Sequence, residues 1–144
     1  MKDRSTVQSA ALLAGIVFLA LGILGFVPGI TTRYGDVSFA GHDSGAKLLG
    51  IFQTSILLNI VHLILGLAGI AMARSWEGAR TFLIGGGVIS VVLFVYGLLA
   101  QGDSSANFIP LNSADNVLHV ALGVTMIALG LVLGRKLIPT DRSA

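Results

Sequence analysis

Long apolar stretches alternate with short polar connections along the chain, and the apolar stretches set the reading. They fall at about 6–27, 46–73, 79–100 and 114–134, each close to or longer than the roughly 20 residues that a helix needs to cross a bilayer. The pattern predicts an all-α polytopic membrane protein, with four transmembrane helices in a compact bundle and a single domain over 1–144. Ser5-Thr6-Val7-Gln8 has the form of a capping box and opens the first helix. Pro28-Gly29 closes it, because Pro cannot extend the hydrogen-bond ladder. A cleaved signal peptide is the rival reading of this segment. It is disfavoured because the apolar core Ser9 to Val27 exceeds the usual length of about 7–15 residues and no Ala-x-Ala site follows.

The connections refine the helices. The polar segment Ile30 to Lys47 is rich in turn formers and offers Tyr34 and Phe39 as interfacial anchors. Asp43 or Ser44 is the expected cap of the second helix. A helix from Ser44 to Ala73 would be about 45 Å long, against a hydrocarbon slab of roughly 30 Å. Its first turns should therefore stand outside the bilayer, tilt, or break near Gly50. Arg74 to Arg80 reads as a tight basic turn with Trp76 at the interface, which makes the helices on either side antiparallel neighbours. Gly85-Gly86-Gly87 and Gly130-x-x-x-Gly134 are small-residue faces suited to close helix contact. Asn112-Ser113-Ala114-Asp115 can cap the fourth helix, with the acid in its favoured first turn.

Inside the second stretch stand Gln53, Thr54, Ser55, Asn59 and His62, which cost free energy in hydrocarbon unless they find partners. Asn59, His62 and Gly66 share one helix face, and the spelling returns as Asn116, His119 and Gly123. Residues 59–74 match 116–131 at Asn, His, Leu, Gly, Ile and Ala, while Gly15 and Gly25 are echoed more faintly by Gly87 and Gly97. Both helix pairs would run the same way through the membrane. A duplication would therefore be a parallel two-helix repeat about an axis along the membrane normal, with the two Asn/His faces meeting.

Composition agrees with this class. Hydrophobic residues are 54%, charged residues 11% and mean hydropathy is +0.89, against about 25% charged in soluble domains. Net charge is only +2, and the basic residues are scattered near span ends, so nucleic acid is not an expected partner. Without Cys there is no disulfide framework, thiolate metal site or cysteine nucleophile. Of the nine basic residues, Lys2, Arg4, Arg74, Arg80, Arg135, Lys136 and Arg142 share one side and only Arg33 and Lys47 the other. The positive-inside rule then predicts an inner-membrane, multi-pass protein with both termini cytoplasmic.

The candidate site is the duplicated polar face. Ser55, Asn59, His62, Asn116 and His119 are expected to form a structural network of interhelical hydrogen bonds, each worth about 0.6 kcal/mol. The sharper alternative is a haem b held by His62 and His119, since bundles host cofactors between facing helices. A proton or ion path is weaker, with no carboxylate expected deep in the spans. Enzymatic chemistry is not expected: Gly41-His42-Asp43-Ser44-Gly45 has its Ser in the wrong place for a nucleophile elbow. No resident metal or cofactor is expected.

FAG, LLGIFQ, NIVHLILGLAG, a Trp in the second turn, LIGGG, ANFIPLN and DNVLH together resemble the bacterial membrane proteins of domain-of-unknown-function family 4383, from about Gly15 to Leu133. The resemblance implies a small four-span protein of the cell membrane and carries no established activity. In that family a His often precedes the Asn of the second span. Here that place is Leu58, so a three-histidine metal site is not implied. The reading is an accessory, assembly or structural component that binds the bilayer, a membrane partner or itself through small-residue faces. The alternative is a haem- or small-solute-binding carrier using His62 and His119.

Overall fold

The computed structural model describes residues 4–135. Lys2, Lys136 and Arg142, which contribute to the basic asymmetry, lie outside the described residues. Four helices run up and down: α1 (Thr6–Leu24), α2 (Ile56–Met72), α3 (Trp76–Leu99) and α4 (Ser113–Val132). The chain is mostly helical, as its apolar pattern predicts. α1, α3 and α4 are long and apolar enough to cross a membrane, and the shorter α2 is apolar too.

The helices pack chiefly as two hairpins, α1 with α2 and α3 with α4, and glycine sets the spacing in both. A side chain at Gly15 would collide with the backbone of Gly66 and Gly69, and one at Gly87 with the Gly123 carbonyl. Added atoms at Gly66 and Gly123 would strike Leu19 and Val91 in turn. The two hairpins thus close on equivalent glycines, and the repeat read from the sequence is a repeat of contacts. It also uses the small-residue faces up. Gly130 is already filled by Leu83 and Ile84, whereas the space beside Gly85 is open. The expectation that such faces recruit a partner therefore meets a physical objection: most of them are spent within the chain.

At the short-turn end the core is apolar, with Val7, Ala11, Phe18, Leu65, Ala79, Phe82, Leu83 and Met126 in one buried cluster. The capping box at Ser5 is present, Gln8 Oε1 accepting from the Ser5 amide at 3.0 Å and hydroxyl at 2.9 Å. Gln8 Nε2 donates to the Ala73 carbonyl and ties α1 to the end of α2. The turn between α2 and α3 is shorter than expected. Trp76 opens α3 rather than sitting in the turn, and Ser75 caps the helix by accepting from the Gly78 amide.

The largest departure lies before α2. The helix expected from Ser44 starts only at Ile56, and its cap is Ser55, which accepts from the Leu58 amide at 3.2 Å. Residues before it form a three-stranded antiparallel sheet of two-residue strands: β1 (Thr31–Thr32), β2 (Lys47–Leu48) and β3 (Phe52–Gln53). Thr31 pairs with Leu48 and Lys47 with Gln53. Leu49 and Gly50 turn the chain with φ of 54° and 72°, the mirror-image turn that matches strand twist. Ser44, expected as a helix cap, instead donates to the Thr54 carbonyl at 2.5 Å. The chain does break near Gly50, one of the outcomes that the excess length required. α1 ends at Leu24, slightly before the expected Val27, and continues as turns to Val27.

The second long connection is pinned by one side chain. Tyr96 Oη accepts from the amides of Phe108 and Ile109 and donates to the Ala106 carbonyl at 2.6 Å. The Phe108 carbonyl accepts from Gly41, joining both loops into one cap over the bundle. α4 then opens on the predicted capping box of Asn112 and Asp115.

Candidate functional site

The end of the bundle under this cap is polar. Thr31, Ser44, Thr54, Ser55, Asn59, His62, Ser90, Asp115, Asn116 and His119 are all buried there or in the adjoining helix turns. His62 and His119 lie about two turns inside α2 and α4, 5% and 0% exposed, because the 3.6-residue period turns both toward the bundle axis. Their Nε2 atoms are 3.4 Å apart, and the rings lie 20° from parallel with centroids at 5.6 Å. Phe18 packs on His62 at 5.9 Å.

Hydrogen positions follow from the neighbours. His119 Nδ1 is 2.8 Å from the Asp115 carbonyl. A carbonyl only accepts, so Nδ1 carries the hydrogen. A neutral His119 then presents Nε2 as an acceptor, and His62 must donate from its own Nε2. The pair is an asymmetric donor and acceptor joining the two hairpins.

The asparagines behave differently. Asn59 Oδ1 accepts from Thr54 Oγ1 at 2.5 Å, leaving Nδ2 without a partner. Asn116 Oδ1 has none either. Each amide fills the notch of a glycine on its own hairpin, Asn59 against Gly25 and Asn116 against Gly97, where any side chain would overlap it. Of the predicted residues, the fold therefore brings His62 and His119 together. It sets Asn59 and Asn116 apart on separate hairpins and uses Ser55 as a helix cap. The continuous network expected from the sequence is instead a set of local pairs.

The group that a facing histidine pair would hold is a haem b. A porphyrin between the histidines needs a wide flat slot, but the two Nε2 atoms are in near contact and Phe18 covers one ring. The pair as arranged does not fit the group. Among the described residues there is also no cluster of three His, Cys, Asp or Glu placed to hold a metal.

Beside the polar core lies a cavity of about 360 Å³, roofed by the loops and floored by Asn116 and Leu111. Gln53, Gln101, Asn107 and Asn112 form its walls, with His42 and Asp103 at its edge. His42 Nε2 is 3.1 Å from Asp43 Oδ1 and 3.9 Å from Asp103 Oδ1. Asp115 lies directly behind, its Oδ2 accepting from the amides of Gln53 and Asn112. In the sequence Gln53 stands out only as a polar residue within an apolar stretch, and Gln101 and Asn107 carry no signal of their own. What signal there is lies in the gathering of amide side chains in both long connections.

No curated protein and no solved structure matches the chain. The profile of the domain of unknown function DUF4383 matches residues 8–132, with the glycine notches, both Asn/His faces and the capping loops inside the match. The chain belongs to the DUF4383 family.

Proposed function

We propose that this protein is a non-enzymatic accessory component of the inner membrane, with both termini cytoplasmic, that acts by binding a membrane partner. The observation that carries this reading is the His62 to His119 contact. The most chemically capable groups of the core are turned on each other and sealed from solvent, as joints between hairpins rather than as reagents. Apolar packing of Phe18, Leu65, Phe82 and Met126 closes the bundle on the other side of the pair, which speaks against an ion path. Because the glycine faces are spent internally, a partner would meet the larger apolar side chains of α3, where Val92 is 60% exposed. A photo-crosslinking residue in place of Val92, activated in native membranes, should give a discrete protein adduct. Adducts with lipid alone would sink the accessory reading.

A further inference from the structure

The cavity under the loops is faced by hydrogen-bond donors that the fold leaves unspent. A helix begins with backbone N–H groups that have no partner inside it. In α4 the Asn112 side chain takes the Asp115 amide, and the Asn112 carbonyl takes that of Asn116. The amides of Ser113 and Ala114 meet no acceptor among the described residues, and Ser113 lines the cavity. Asn116, one turn on, adds a side-chain donor. Its Oδ1 is lodged in the Gly97 notch. Its Nδ2, on the other branch of the amide, is therefore turned to the cavity and has no partner among the described residues, although Asn116 is only 7% exposed. Buried polar groups are nearly always satisfied, so a donor left over beside open space implies an acceptor that the chain does not supply.

We propose that this cavity binds a small neutral polyol or sugar, whose hydroxyl oxygens accept from Asn116 Nδ2 and the first amides of α4. Charge selects among the possible acceptors. A helix N-terminus offers about half a positive charge, while Asp103 stands at the mouth, Asp115 occupies the first turn of α4 and the lining has no Lys or Arg. A carboxylate or phosphate would therefore meet more repulsion than attraction. An ammonium has three donors and no acceptor, so it would leave the same N–H groups unmet. A hydroxyl accepts and donates at once, and its own hydrogen can pass to the Ser113 hydroxyl or the Gln101 side-chain oxygen at the rim. The volume of about 360 Å³ falls within the range of small-molecule pockets, roughly 300–1,000 Å³. The proposal stands apart from the accessory role and does not depend on which side of the membrane the cavity faces.

The test is calorimetric titration of the full chain in phosphatidylcholine nanodiscs, which carry no sugar headgroup, with glucose, myo-inositol, sodium acetate and putrescine. Saturable binding of glucose or myo-inositol is expected, weakened roughly threefold or more by Ser113→Pro and by Asn116→Leu. Proline suits the first position of a helix and deletes its N–H. Ser113→Pro should therefore leave the unfolding midpoint unchanged or raised, which separates lost binding from lost fold, and it decides the matter alone if Asn116→Leu does not fold. Asp103→Asn should change the affinity by less than about twofold, since a neutral ligand feels an exposed charge little. Absence of binding by both polyols overturns the site. Binding that Ser113→Pro does not weaken places the ligand away from α4 and overturns it as well. Tighter binding of acetate or putrescine, or a larger response to Asp103→Asn, overturns the neutral ligand class.

Discussion

At the scale of single residues, the buried pairs make predictions whose sign is informative. Removing His62 strands the His119 Nε2 lone pair in a low-dielectric site, so His62→Leu should lower stability by about 0.5–2 kcal/mol, read as a lower unfolding midpoint in detergent. The double replacement of His62 and His119 by Leu should recover part of that loss, since only the His119 bond to its own helix backbone disappears with it. An unchanged or raised midpoint in the single variant would mean that the pair is held at a cost for some function instead. The purified protein should also show no Soret absorption, as expected of a pair that touches rather than sandwiches a macrocycle. Gly97 gives a second test. Helix propensity alone would make Gly97→Ala stabilising by about 1 kcal/mol. The new methyl would overlap the Asn116 amide, and overpacking costs about 1–3 kcal/mol, so a net fall is expected in thermal unfolding. The His and Asn positions were legible in the sequence because a helix face repeats every three or four residues. Their partners were not: Thr54 and Phe18 reach Asn59 and His62 through a loop bend and a helix contact that no local spacing encodes.

Among the elements, α1, α3 and α4 could be read because predominantly apolar stretches of about twenty residues with few charges admit little else. The hairpin Lys47 to Gln53 could not. Leu48, Leu49, Ile51 and Phe52 continue the apolar run of α2, and a short apolar run fits strand and helix equally well. Its strands are two residues each, too short for alternation to show. What decides it is the turn, where Leu49 holds a left-handed conformation that costs an L residue roughly 1–2 kcal/mol. Leu49 is 57% exposed and packs little. Leu49→Asn should therefore stabilise the protein by about 0.5–1 kcal/mol, measured by thermal unfolding. A fall would show that the leucine side chain does more than turn the chain, by anchoring the cap against detergent or lipid.

For the whole molecule, the basic asymmetry makes a claim about sidedness that labelling can check. The chain has no Cys, so single cysteines report cleanly. Ser105→Cys, on the exposed loop after α3, should react in intact cells with an impermeant maleimide, and Ser143→Cys should not. Reaction at the second position would refute the topology with both termini inside. The division of the fold into matched hairpins also has a consequence for how it is made. Asn59 is sheltered by Gly25 of the same hairpin, so the first half can leave the insertion machinery with its amide already tucked away. His62 is not so provided for: among the described residues its hydrogen-bond partner is His119, on α4, which emerges two helices later. From the emergence of α2 to the arrival of α4 the ribosome is tethered to a half-protein with one thirsty imidazole facing oil, and that interval is when a chaperone, a lipid headgroup or a second nascent chain has its opportunity to bind.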